Sequence, residues 1–75
     1  MESADIIRMT SQIAAFFRGY GHDEAVREIA THINNFWDPR MRNHLFAHLA
    51  KGGAGIDPLV IEAAAGIRKP RADSA

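Results

Sequence analysis

A chain of 75 residues without a single cysteine has few ways to become a stable domain. At this length a folded chain buries only about 60% of the surface that it exposes when unfolded. Small scaffolds usually make up the deficit with disulfides, a structural metal or a partner. The missing cysteines remove disulfides, thiolate-held iron–sulfur clusters, Cys-containing zinc sites and any Cys nucleophile. Good helix packing, a His or carboxylate metal site, and a partner chain remain.

Charge narrows the partners. Nine Lys and Arg balance nine Asp and Glu, for a formal net charge of zero. Binding to nucleic acid rests on neutralising phosphates, so a neutral chain is not expected to bind it. A hydrophobic share of 47% with 24% charged residues is that of a globular domain, not of a disordered one. No apolar run approaches the ~20 residues of a membrane span. The acidic start, Met1 to Asp5, lacks the basic and apolar regions of a signal peptide. The expected location is the cytoplasm, and the expected layout is one helical domain over 1–68 with a flexible tail at 69–75.

Hydrophobic spacing predicts an all-α fold of four short helices near 4–18, 23–35, 39–50 and 58–68. Ile6, Met9, Ile13, Phe16, Phe17 and Tyr20 recur at steps of three and four, one face of a helix. Ser3 is the expected N-cap, and Gly19 with Gly21 the expected stop. Ala25, Val26, Ile29, Ala30, Ile33, Phe36 and Trp37 form a second series, which Pro39 must end. The pairs Asp38-Pro39 and Asp57-Pro58 are matching start signals: Asp caps, while Pro takes the first helical position and lacks only an unpartnered N–H. Ile56 and Ile61 have the spacing of a hydrophobic staple. At the other start, Trp37 and Arg42 hold those positions, so a staple there would set guanidinium on indole. Met41, Leu45 and Leu49 should be buried by the third helix, and Leu59, Val60, Ala63, Ala64 and Ile67 presented by the fourth. The run Gly52-Gly53-Ala54-Gly55 reads as a flexible connection between helices.

Few residues suggest chemistry. His44 and His48 lie four apart on one helical face, a spacing that can chelate zinc with a third ligand, or simply leave one ring solvated and one packed. The glycine run follows a helix, not a strand, and Asp57 would repel an anion there, so it is no phosphate loop. No Ser or Thr has a nucleophile-elbow context. A chain this short offers little room for a pocket of about 300 Å³ or more, and no catalytic, cofactor-binding or metal-binding residue is assigned. The densest segment is Phe36-Trp37-Asp38-Pro39-Arg40-Met41-Arg42, with residue types enriched at interface hot spots. Phe36, Trp37, Arg40, Met41 and Arg42 are the candidate partner-binding residues; core filling is the alternative for the two aromatics, and ordinary solvated charge for the two arginines.

The same string, with Gln12-Ile13-Ala14-Ala15-Phe16-Phe17 and His32 before it, resembles the delta subunit of cytoplasmic NAD-dependent formate dehydrogenase. The resemblance continues through Leu45, Ala47-His48-Leu49, Gly52-Gly53-Ala54-Gly55 and Asp57-Pro58-Leu59-Val60, covering roughly residues 9–67. It implies a non-catalytic accessory subunit of a molybdenum enzyme, concerned with assembly, stability or activity of the complex. In that family molybdopterin and iron–sulfur clusters sit in the alpha subunit, while FMN, the NAD site and further clusters sit in beta and gamma. The implied partners are the alpha subunit and its companions, and no cofactor is expected in this chain. Two rivals differ in class: a self-associating helical module, which a homodimer would reveal, and a helix-turn-helix regulator. The latter needs a basic recognition helix, and the third helix offers only Arg40, Arg42 and two largely neutral histidines.

Overall fold

The computed structural model describes residues 2–69, and its architecture is all-α. Helix α1 spans Ser3–Phe17 and passes into a tight 3₁₀ turn at Arg18–Tyr20. Helices α2 (His22–Phe36), α3 (Pro39–Ala50) and α4 (Pro58–Ala63) follow, and a second 3₁₀ turn at Ala64–Gly66 closes the fold. Lys69, where the expected tail begins, reaches over the Phe46 ring, 5.6 Å from its centroid; the remainder of that tail, 70–75, lies outside the described residues.

The cap of α1 is Glu2, not Ser3. The Glu2 N–H donates to the Asp5 carboxylate at 3.3 Å, the return half of a capping box. A carboxylate reaching back three positions selects the residue three before it, and Ser3 becomes the first helical residue. Ile6, Thr10 and Ala14 are the buried stripe of α1. Thr10 is polar yet fully buried, and its hydroxyl is satisfied within the helix by the carbonyls of Ile6 at 2.8 Å and Ile7 at 3.1 Å. The expected face therefore turns: Met9, Ile13 and Phe17 are only partly buried, while Phe16 and Tyr20 point outward.

Gly21 ends this first arm with φ +92°, a backbone conformation that costs glycine little. Ala25, Ile29, Ala30 and Ile33 form the buried side of α2, and Trp37 continues it past the last turn. Trp37 is extended, as a residue just before Asp-Pro readily is. The two Asp-Pro starts behave as the sequence predicts. Asp38 accepts from the Met41 N–H at 2.9 Å, and Asp57 from the Leu59 N–H at 2.9 Å. Leu45 is the one fully buried residue of α3, with Met41 and Leu49 half-buried at its flanks. Ile56 is buried but Ile61 is half exposed.

Helix α4 stops well short of 68. Asn34 on α2 donates its side-chain amide to the Gly66 carbonyl at 2.9 Å and accepts the Arg68 N–H at 2.8 Å. Arg42 Nε donates to the Arg68 carbonyl at 2.9 Å. These three bonds hold the chain extended after Gly66, where a continuing helix would direct those groups back on itself. Val60, Ala63 and Ile67 fill the space over Ile29, Ile33 and Ala30, the main packing between helices in the molecule.

The glycine connection is folded tightly, not loose. The Gly53 N–H donates to the His48 carbonyl at 3.0 Å, and His48 Nε2 lies 2.7 Å from the Ala54 carbonyl. Gly55 has φ +81°, and a Cβ there would stand 3.2 Å from the Ile7 side chain. Gly55→Ala should therefore lower stability by about 1–3 kcal/mol, read as an earlier midpoint in urea. An unchanged midpoint would show that the turn relaxes freely.

Two ion pairs fasten α4 to the turn between α1 and α2. Arg18 pairs with Asp57, and His22 Nε2 lies 2.9 Å from Glu62. Partial burial of Asp57 works to raise its carboxyl, but the Leu59 N–H and Arg18 outweigh this and hold it below the ordinary 3.8. A lowered folded-state value gives stability that is present above 3.8 and lost as pH falls through it. Asp57→Ala should cost about 1–2 kcal/mol at neutral pH, with the deficit against wild type narrowing in acid melts as pH falls below 3.8 and through the lowered folded-state value. His22 moves the other way: its bond to Glu62 raises it above 6.5. That pair contributes fully below 6.5 and fades as pH rises through the raised value. The pair is exposed, so His22→Gln should lower the melting temperature slightly at pH 6 and not at all at pH 9.

Candidate functional site

Successive residues on an α-helix lie about 100° apart, so Phe16 and Phe17 cannot both face one core. Phe17 takes the core edge and Phe16 is left 69% exposed. Their rings meet edge to face, centroids 4.9 Å apart. Tyr20, carried round by the 3₁₀ turn, meets Phe17 at 5.5 Å and is half exposed. His32 on α2 stands 6.1 Å from Phe17 and 4.8 Å from Phe36. The result is a row of rings running from the end of α1 across α2 to its last residue. Phe36, 74% exposed, is the far end of the row.

Beside this row lies a groove of about 400 Å³, lined by Met9, Gln12, Ile13, Phe16, Phe17, His32 and Trp37. A cleft of this volume is larger than expected for so short a chain. It lies where Met9 and Ile13, half-buried against the core, leave one side open next to the exposed Phe16. Trp37 floors it, only 6% exposed. Its polar groups are Gln12 and His32.

The five candidate residues thus part company. Phe36 is exposed in the aromatic row, and Arg40 is exposed at the start of α3. Trp37 belongs to the core, showing the groove one edge. Met41 is half-buried against that core. Arg42 is spent within the chain: Nη1 donates to the Trp37 carbonyl at 2.7 Å and Nε to Arg68. The predicted guanidinium–indole staple is therefore replaced by a hydrogen bond to the backbone of the same tryptophan. Phe16, Tyr20, Met9, Gln12, Ile13 and His32 were missed as site residues. The one local clue was the Phe16-Phe17 pair, too wide for one face.

Among the described residues no three His, Asp or Glu side chains gather as metal ligands. His48, which the spacing offered with His44 as a zinc chelate, lies within hydrogen-bond distance of the Ala54 carbonyl. No helix among the described residues is long and apolar enough to cross a membrane.

Residues 5–64 match the family model of the NADH-dependent formate dehydrogenase delta subunit, FdsD. The chain belongs to this family. The match takes in the whole aromatic row, the groove and both Asp-Pro starts. No individually curated protein matches the chain. Membership makes it a delta subunit of an NAD-dependent formate dehydrogenase, in agreement with the resemblance carried by the string at 36–42.

Proposed function

We propose that this delta subunit is a non-catalytic accessory member of a cytoplasmic molybdenum formate dehydrogenase, docking on the catalytic alpha subunit and supporting the assembly, stability or activity of the complex. The observation that carries the reading is the family match over 5–64, taken with an exposed row of aromatic rings beside an open groove. Rings of this kind supply large contact area at low entropic cost. The chain has no cysteine with which to hold an iron–sulfur cluster through thiolates. In this reading molybdopterin, the clusters, FMN and the NAD site stay with the other subunits. The delta chain acts through contact alone.

The test is affinity purification of the tagged chain from native extract, with mass spectrometry of what comes with it. The alpha subunit and its flavin-bearing companions should co-purify, and deleting the gene should lower formate-dependent NAD reduction. Recovery of the chain alone or as a homodimer, with formate oxidation intact in the deletion, would sink the proposal and favour a self-associating module.

A further inference from the structure

The formal charge of zero hides a segregation. Residues 39–56 carry Arg40, Arg42 and Lys51, residues 63–69 carry Arg68 and Lys69, and neither stretch holds an Asp or Glu. Lys51 stands at the C-terminal end of α3, where the helix dipole favours a cation. Arg27, on α2, has Asp23 and Glu24 one turn before it, the spacing of a helical ion pair. Arg42, Arg68 and Lys69 differ because the fold gathers them. Arg42 Nε donates to the Arg68 carbonyl at 2.9 Å. Lys69 Nζ stands 5.6 Å from the centroid of Phe46, one turn beyond Arg42 on α3. Arg40 lies about 200° round the helix from Arg42 and so on another side of it. None of the three gathered cations enters an ion pair among the described residues. Asp38, one turn before Arg42, has its carboxylate on the Met41 N–H.

We propose that Arg42, Arg68 and Lys69 bind a carboxylate-rich segment of another dehydrogenase subunit. The inference rests on the proposed function and adds a charged contact face to the aromatic row, with the chemistry of what meets it. The two backbone carbonyls orient the Arg42 guanidinium without neutralising it. Nε and Nη1 make those bonds, which leaves Nη2 free to pair with a carboxylate. No buried side-chain polar atom among the described residues lacks a partner, so Nη2 is open to solvent. Beside the cations, a groove of about 450 Å³ lined by Asn43, Phe46, Leu49, Ala50 and Lys69 follows α3 and gives the segment a seat. Three cations neutralise few phosphates, and Asp23, Glu24, Glu28 and Glu62 elsewhere on the chain repel a longer polyanion, which favours protein carboxylates over nucleic acid. Polarity decides against a second copy. The acidic residues Asp23, Glu24 and Glu28 lie on the first half of α2, whereas Arg42 reaches Trp37 just past its last turn. Joining the basic face of one copy to the acidic face of the next is a head-to-tail contact, which gives rings or filaments and not a two-fold dimer.

The experiment uses the intact complex purified from cells. A water-soluble carbodiimide joins an amine to a carboxylate that it already touches, and Lys51 and Lys69 are the only lysines of the chain. Peptide mass spectrometry should find Lys69 linked to an Asp or Glu of another dehydrogenase subunit. Arg68→Glu with Lys69→Glu, expressed beside the wild-type chain, should enter the complex at least about tenfold less at low salt. That gap should narrow as added salt screens the pairs. Both side chains are exposed, so the reversed variant should melt as wild type does, and Arg68→Lys with Lys69→Arg should enter the complex normally. A link from Lys69 to Asp73 of the same chain, or to a second delta chain, overturns the proposal while membership of the complex stands. No link from Lys69, or equal entry of the reversed variant, overturns it as well. Failure of the chain to co-purify with any dehydrogenase subunit removes the proposed function, and this inference with it.

Discussion

Trp37→Ala should cost about 3–5 kcal/mol, the range for truncating a large buried aromatic. A domain of this size has a total stability of roughly 4–11 kcal/mol at 0.05–0.15 kcal/mol per residue. The substitution therefore takes away much of it, and the melting temperature should fall by at least about 12 °C at 4–8 °C per kcal/mol. The effect is large because the indole is a big side chain held almost fully out of water. The residue is only 6% exposed at the meeting of α2 and α3, and its side chain lines the groove; the bond from Arg42 goes to its main-chain carbonyl and survives the substitution. Thermal unfolding followed by circular dichroism reads the result. A drop under about 4 °C would show that the indole is not packed as described. Loss of binding in this variant would be uninformative about the interface, since a partly unfolded chain loses every contact.

Phe16→Ser combined with Phe36→Ser should act the opposite way. Both rings are mostly exposed, so each change should move stability by no more than about 0.5 kcal/mol. Truncating an aromatic hot spot at an interface commonly costs 2 kcal/mol or more, and that much is about a 30-fold loss of affinity. The folded double variant should therefore be largely lost from the purified dehydrogenase complex while melting as wild type does. Quantitative co-purification alongside the thermal melt separates the two effects. Full retention in the complex would place the docking surface elsewhere on the chain.

Helix α3 shows what the sequence made legible. Its bounds, 39–50, are those expected, because Asp38 and Pro39 start it and the glycines after Lys51 stop it, all by local chemistry. The start of α1 differs by one residue because the Asp5 carboxylate meets the Glu2 N–H, and α2 begins one residue early, straight after Gly21. Helix α4 ends earlier than its spacing predicts, since Ala63-Ala64-Ala65 favours helix and the local stop signal is the single Gly66. The bonds that draw Gly66 and Arg68 away come from Asn34 and Arg42, more than twenty residues earlier. The site divides along the same line. Phe36 was readable from residue type and His32 lies one turn before it on α2, but the rings of Phe16, Phe17 and Tyr20 join them only when the 3₁₀ turn brings α1 back against α2. Arg42 resembled a free cation because its two carbonyl acceptors lie five residues before it and twenty-six after it.

The Asn34 amide works as a length gauge. It grips a carbonyl and an N–H two positions apart, and the Asp57 cap fixes where α4 begins. The number of residues between Asp57 and Gly66 is thereby metered from both ends. One extra or missing alanine in 63–65 would bring the wrong backbone groups to the amide and rotate Ile67 out of the core. The loop before Asp57 is gauged as well, by the Gly53 N–H on the His48 carbonyl and by the His48 ring on Ala54. Length variation within this small subunit should therefore stay out of both stretches.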